Sequence, residues 1–337
     1  MEPRHAAAFL LASFLYGSSF WLIEFSERAI PPISVACLRL MIAAVVLLGL
    51  VLSKQSLRTS WPWNLHALQV IAVLALLNNV FPIVLISLSQ RELNPGISSI
   101  LLSSSPMFTL VFSNMFQGQP ISPRQTIGIL TGFLGVVLLS LRSATGRPSG
   151  HGNGMLAYVC ILLAAVSYGL ANVFSSKFVG ALQLPLLVLA ACQVSTSAML
   201  TSVCSLSSDY AHPPQGYASH FLFLETVPLS AWVSVFTLGI GSQALVSVLY
   251  FYLIQAIGAV HLSSAGYMVA LVGFLEGVLF TDEWVDVPCE SKVMETCGGL
   301  VVLAGVWLAT PSTKTPQASV AMPADGKVAL LEDKLAS

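Results

Sequence analysis

Residues 33–53 read ISVACLRLMIAAVVLLGLVLS, a run of 21 residues in which Arg39 is the only charge. A helix needs about 20 predominantly apolar residues to cross the hydrocarbon core of a bilayer, so this run is long enough to be one span. The whole chain has a similar character, with 55% hydrophobic and 9% charged residues, whereas soluble domains carry about 25% charged residues. Because lipid can solvate the outside of such a chain, the sequence predicts an integral, multi-pass membrane protein.

Charges, prolines and polar clusters divide the 337 residues into ten apolar runs. The predicted spans are 6–25, 33–53, 66–88, 95–117, 124–141, 154–177, 184–206, 230–256, 260–281 and 294–310. Residues 207–229 form the longest predicted loop, and residues 311–337 have the dispersed polar composition of a disordered, solvent-exposed tail. An even number of spans places both termini on one side, and Lys and Arg favour the cytoplasmic side by eight to five.

Landmarks recur in the same order along the two halves of the chain. Tyr16-Gly17 is matched by Tyr168-Gly169, and Gly128 with Gly135 by Gly298 with Gly305. At an offset of 164 residues, Asn78-Asn79 correspond to Ser242-Gln243, Pro106 to Ala270, and Gln119 to Glu283. These matches predict two repeats of five spans, residues 1–145 and 150–310. Since five is odd, the repeats enter the membrane in opposite directions, which places a substrate site near the midplane between them.

A set of motifs extends over residues 8–310. In the first repeat they are Gly17–Trp21, Arg39, Asn78-Asn79, Pro82, Gly96–Pro106, Gly128 and Gly135; in the second they are Tyr250, Gly258-Ala259, Gly277, Asp282-Glu283, Gly298 and Gly305. This ordered set resembles the EamA-type branch of the drug/metabolite transporter superfamily. The resemblance implies an all-α carrier of small organic metabolites, amino acids among them, that more often exports than imports. The chain departs from that pattern at Gly118-Gln119, where Gly-Glu is usual, and at Ala270, where proline is usual.

Polar side chains inside the predicted spans are candidates for a substrate cavity, because such groups are costly in hydrocarbon and face a cavity or a partner helix. Asn78 and Asn79 lie one turn before Pro82, whose missing N–H frees a backbone carbonyl near residue 78 and kinks the helix. Helical spacing places other polar residues on shared faces. The predicted cavity residues are Asn78, Asn79, Ser105, Tyr168, Asn172, Gln243, Ser247, Tyr250 and Tyr267. For all of them, packing between helices is the alternative interpretation.

Three charged residues are candidates for coupling or gating. Arg39 would contact an anionic part of a substrate, or else snorkel to the interface or pair across helices. Glu276 could exchange protons and couple transport to a proton gradient, or serve as a hydrogen-bonded structural acid. Glu283 is predicted to face water and to gate or cap a helix end.

The expected partners are a small-molecule substrate and the lipid bilayer, and assembly as a homodimer is left open. A net charge of −1 without a basic run gives no indication of nucleic-acid binding. No cofactor or metal site is expected, because the six cysteines form no metal spacing; Cys289 and Cys297 could pair in an oxidising compartment.

Four functional classes make different demands on the sequence. An intramembrane enzyme would need a catalytic motif at membrane depth, and a channel would need a carbonyl filter or charged rings; the sequence shows neither. A sugar-phosphate or nucleotide-sugar exchanger would need several basic residues in its cavity, and Arg39 is the main one within a span. The favoured interpretation is a secondary-active carrier working by alternating access.

Overall fold

The computed structural model describes residues 3–62, 64–90, 92–93, 95–118, 120–145, 154–211, 227–280 and 289–309. Within these ranges the regular secondary structure is helical, with no β-strand. Ten long helices follow one another along the chain. They are α1 Pro3–Glu27, α2 Pro32–Ser53, α3 Leu65–Ser89, α4 Pro95–Gln117, α5 Pro123–Thr145, α6 Met155–Leu182, α7 Leu186–Leu206, α8 Leu229–Ile257, α9 Ala259–Gly277 and α10 Cys289–Ala309.

The ten helices coincide with the ten predicted spans, with the largest differences, about five residues, at the end of α6 and at the start of α10. Helical structure also continues beyond α7 to Ala211, into the region predicted as a loop, and beyond α9 to Phe280. The rest of that loop up to residue 226 and the predicted tail, residues 311–337, lie outside the described residues. Within the part of the chain that the structure describes, eight helices, α1–α4 and α6–α9, are long and apolar enough to cross a membrane.

The other two helices, α5 and α10, pack against each other more extensively than any other pair among the described elements. Glycine makes this close approach feasible. A Cβ atom at Gly135 would lie 2.6 Å from the backbone nitrogen of Val302, and one at Gly305 would lie 2.8 Å from the carbonyl oxygen of Gly128. The recurring glycines of the fifth and tenth spans therefore meet at one helix pair.

The helix contacts occur in matching pairs, as two related repeats require. Helix α1 packs on α9 as α6 packs on α4, and α2 packs on α8 as α7 packs on α3. A Cβ atom at Gly17 would lie 2.6 Å from Val272 Cβ, and one at Gly169 would lie 2.7 Å from Phe108 Cβ. Val272 and Phe108 are themselves separated by 164 residues. The fold is thus an all-α membrane bundle of two inverted five-helix repeats, as predicted.

Several helices are irregular near their middle. Helix α1 is interrupted at Ser18, α4 at Ser103-Ser104 and α9 at Ser264. Helix α3 contains a π-helical turn at Leu76–Val80, and α8 contains one at Leu238–Leu245. The two π-turns lie at positions related by the repeat offset. Such turns are rare in proteins, and many of those that occur lie at functional sites. Here they place polar residues at the middle of one helix in each repeat.

A candidate substrate cavity between the repeats

A cavity of about 140 Å³ lies between the two repeats. Its wall comes from the first, third and fourth helices of each repeat, namely α1, α3, α4, α6, α8 and α9. In each of these helices the contributing residues include positions near the midpoint, such as Tyr16, Asn78, Tyr168 and Gln243. Because the helices span the bilayer, the cavity lies near the membrane midplane.

Eight of the nine predicted cavity residues line this wall. They are Asn78, Asn79, Ser105, Tyr168, Asn172, Gln243, Ser247 and Tyr250. The ninth, Tyr267, lies outside the wall and packs against an apolar cluster that includes Val269. Sequence reasoning did not include Ser13, Tyr16, Ser103, Ser242 or Ser263, which also line the cavity. The match of Tyr16 with Tyr168 in the two repeats was a signal that could have identified Tyr16.

The π-turn in α3 leaves backbone carbonyls available to neighbouring helices. The N–H of Phe81 donates to the carbonyl of Leu76, and Pro82 has no N–H to offer. The carbonyl of Leu77 instead accepts a hydrogen bond of 2.7 Å from Ser167 Oγ of α6. The predicted free carbonyl near residue 78 is therefore that of Leu77. It accepts a hydrogen bond from α6 and so is not free to bind a solute.

Asn79 and Gln243 join the two repeats directly. The side-chain amide of Gln243 donates to Asn79 Oδ1 over 3.2 Å, and the amide of Asn79 donates to Ser197 Oγ over 2.9 Å. Both amides are buried. Since these residues correspond through the 164-residue offset, their bond lies where the repeats meet. It ties α3, α7 and α8 together at mid-membrane.

A second cluster connects α6 to α8 and α4. The Tyr250 hydroxyl is 3.1 Å from Asn172 Oδ1 and 3.0 Å from Ser175 Oγ, and the Asn172 amide donates to Thr109 Oγ1 over 3.3 Å. These bonds satisfy polar groups that would otherwise be costly at this depth. They also align three helices along one side of the cavity.

Tyr16 and Tyr168 meet at the cavity wall, with their hydroxyl groups hydrogen-bonded to each other. Their rings are nearly perpendicular, with centroids 6.1 Å apart. Arg39 lies near both phenol groups. Arg39 is only 4% exposed, its Nε has no hydrogen-bond partner, and it does not belong to the cavity wall.

Glu276 lies outside the cavity wall, on the face of α9 that contacts α1. Ser18 Oγ donates to Glu276 Oε1 over 2.8 Å. The other oxygen, Oε2, is buried without a hydrogen-bond partner. The predicted gating residue Glu283 lies outside the described residues.

Within the described part of the chain, no group of three His, Cys, Asp or Glu side chains is placed to hold a metal ion. Cys297 is a free thiol. The disulfide between Cys289 and Cys297 that the sequence left open is therefore not formed in this structure.

Comparison with known proteins agrees with this architecture. Residues 4–141 match the EamA-like transporter family. The chain is 24% identical over 307 residues to the uncharacterized inner membrane transporter YedA of Escherichia coli (strain K12), covering 90% of each chain. It is 22% identical over 301 residues to the uncharacterized transporter YoaV of Bacillus subtilis (strain 168), covering 88% of this chain and 93% of the relative.

One solved crystal structure superposes with a TM-score of 0.59 at 18% identity, covering 90% of this chain and 96% of the other. That likeness supports the fold alone. The family match, the two relatives aligned along nearly their whole length and the paired five-helix repeats converge on one assignment. These findings support an EamA-type membrane transporter of the drug/metabolite transporter superfamily, with the family model itself matching the first repeat.

Proposed function

We propose that the protein is a secondary-active carrier of small organic metabolites that works by alternating access around the central cavity. The observation that supports this most is that matching helices of both repeats build one polar-lined cavity at mid-membrane. In inverted-repeat transporters the two halves rock around such a site, which opens to one side at a time. Export is the proposed direction, in keeping with the family resemblance.

Proton coupling through Glu276 is the proposed energy source. Its carboxyl lies between α9 and α1, two helices that also line the cavity. A buried carboxylate oxygen without a hydrogen-bond partner is costly. Protonation of Glu276 would therefore favour conformations in which its carboxyl is buried over those in which it is hydrated. Carriage of a solute and a proton would then be linked through the α1–α9 contact.

An exchanger of phosphate esters is the nearest alternative. Such substrates are held by several Lys or Arg side chains. Among the residues described, none that lines the cavity is basic, and the nearby Arg39 lies outside the wall. The lining therefore favours a carrier of other small organic solutes.

The test is transport by the purified full chain in liposomes, with a metabolite panel and with or without a pH gradient. We expect flux above that of protein-free liposomes, and stimulation by the gradient. Glu276→Gln should lose the stimulation while solute exchange continues. Glu24→Gln is the matched control on α1, since Glu24 only pairs with Arg28 one turn away, at 3.0 Å. Absence of flux for every solute from folded protein would refute the carrier function, and normal gradient stimulation of Glu276→Gln would refute the coupling role.

A further inference from the structure

The two repeats contribute unequal walls to the cavity. In the first repeat, Asn78 and Ser105 face the cavity with side chains that make no hydrogen bond in the structure. The corresponding positions of the second repeat are Ser242 and Val269. Ser242 Oγ donates to the carbonyl of Leu238 in its own helix over 3.0 Å, and Val269 is apolar. Unused hydrogen-bonding capacity is therefore concentrated on the α3–α4 side.

The other amides of the wall are already engaged between helices. Asn79 and Gln243 bond to each other, and Asn172 bonds to Thr109 and accepts from Tyr250. A solute that displaced these bonds would break contacts between helices. Asn78 needs no such exchange, and its amide offers both donors and an acceptor.

No charged side chain belongs to the wall formed by the described residues. The second repeat also contributes the apolar side chains Val246, Leu253, Leu262 and Val269 to the wall. Placing an ionised group in such surroundings without a partner costs several kcal/mol. Arg39 cannot pair directly with a bound solute, because it lies outside the wall, and its neighbours Tyr16 and Tyr168, which do line the cavity, bond to each other.

Resting on the carrier function above, we propose that the cavity selects small uncharged solutes with one hydrogen-bonding end and one apolar end. The polar end binds Asn78 and Ser105, and the apolar end lies against the second repeat. A volume of about 140 Å³ is close to that of an apolar cavity of about 150 Å³ that holds benzene, so the solute is of that size. Amino acids, which carry two full charges, fit this wall poorly.

Four probes with one carbon skeleton isolate the effect of charge: isovaleramide (neutral), isovalerate (anionic), valine (zwitterionic) and valinamide (cationic). A ligand that binds only the folded state stabilises it by an amount that grows with the logarithm of the ratio of ligand concentration to Kd. We therefore measure the unfolding midpoint of the purified full chain in detergent as each probe is titrated. Isovaleramide should stabilise the protein at concentrations at least about tenfold below those required for the charged probes. A tenfold difference in affinity corresponds to about 1.4 kcal/mol, and the free-energy cost of burying one unpaired charge is larger.

Asn78→Ala should weaken binding of isovaleramide by about tenfold, the loss of one to two hydrogen bonds. Thr237→Ala is the control on α8: Thr237 lies outside the cavity wall and its hydroxyl donates to the carbonyl of Val233 in its own helix. This variant should bind isovaleramide like the parent chain. Equal or tighter binding of valine, isovalerate or valinamide would overturn the inference, and so would a lack of stabilisation by isovaleramide up to its solubility limit. An unchanged affinity in Asn78→Ala would also overturn it. The proposed carrier function is tested separately, by measuring flux of any solute into liposomes.

Discussion

Asn78 and Asn79 are neighbours in the chain, yet the π-turn gives them different roles. Asn79 bonds to Ser197 and Gln243 and so connects α3 with α7 and α8. Asn78 makes no such contact and faces the cavity. The structure thus separates a side chain that holds helices together from one that is available to a solute.

This difference predicts effects of different size on stability for two adjacent substitutions. Asn79→Ala should lower the free energy of unfolding by about 1–2 kcal/mol, because two interhelical hydrogen bonds are lost and each is worth about 0.6 kcal/mol or more in a membrane protein. Asn78→Ala should change stability by less than about 0.5 kcal/mol. The measurement is the unfolding midpoint of each variant in the same detergent without added solute. Equal destabilisation by the two substitutions would show that both amides are structural.

At the scale of the helix, close packing depends on positions where a methyl group does not fit. The α5–α10 pair brings backbone into contact with backbone at Gly305, where an added Cβ would overlap Gly132 and the carbonyl oxygen of Gly128. Gly49, by contrast, has no atom within 4 Å of such a Cβ. The same substitution at these two glycines therefore separates helix packing from helix propensity.

Gly305→Ala should destabilise the protein by about 1–3 kcal/mol, the usual cost of forcing an extra carbon into packed surroundings. Gly49→Ala should be neutral or stabilising by up to about 1 kcal/mol, because alanine is the better helix former. Thermal unfolding in detergent compares the two. Comparable stability of both variants would mean that α5 and α10 are not closely packed in solution.

The positions of the helices were predictable because bilayer thickness sets the length of each apolar run. The break in α3 was predictable from Pro82. The π-turn at Leu238–Leu245 contains no proline, and no residue type in it predicts the irregularity. Helix α9 is interrupted at Ser264 even though Ala270 stands where proline is usual. Such irregularities depend on contacts between helices, which a pattern read along one segment does not contain.

For the cavity, polar residues inside apolar runs were a good guide, since hydrocarbon excludes them and they must face protein or solvent. This pattern did not distinguish side chains that hydrogen-bond to other helices from those that do not, as the contrast between Asn78 and Asn79 shows. That division depends on Ser197 and Gln243, which lie 118 and 164 residues away from Asn79. It also could not separate Tyr267, packed in an apolar cluster, from Tyr250 in the cavity wall.

At the scale of the whole molecule, the two repeats are interleaved. Contacts between helices of different repeats include α5–α10, α2–α7, α1–α9, α4–α6 and α2–α8. A repeat on its own would expose to lipid the polar faces that now meet, including those of Asn79 and Asn172. Since unpaired polar groups are costly in hydrocarbon, neither half should form its native packing alone.

Cleaving the chain between the repeats tests this interdependence. Residues 1–148 and 149–337, produced together, should associate into a complex with the thermal stability of the intact chain to within a few degrees, because the contacts within it are unchanged. Either half produced alone should aggregate or elute as a broad, protease-sensitive species. Affinity purification through a tag on one half, followed by size exclusion in detergent, measures both results. A monodisperse, protease-resistant half 1–148 would show that the first repeat folds independently. The interface between the repeats would then join two domains that are already folded.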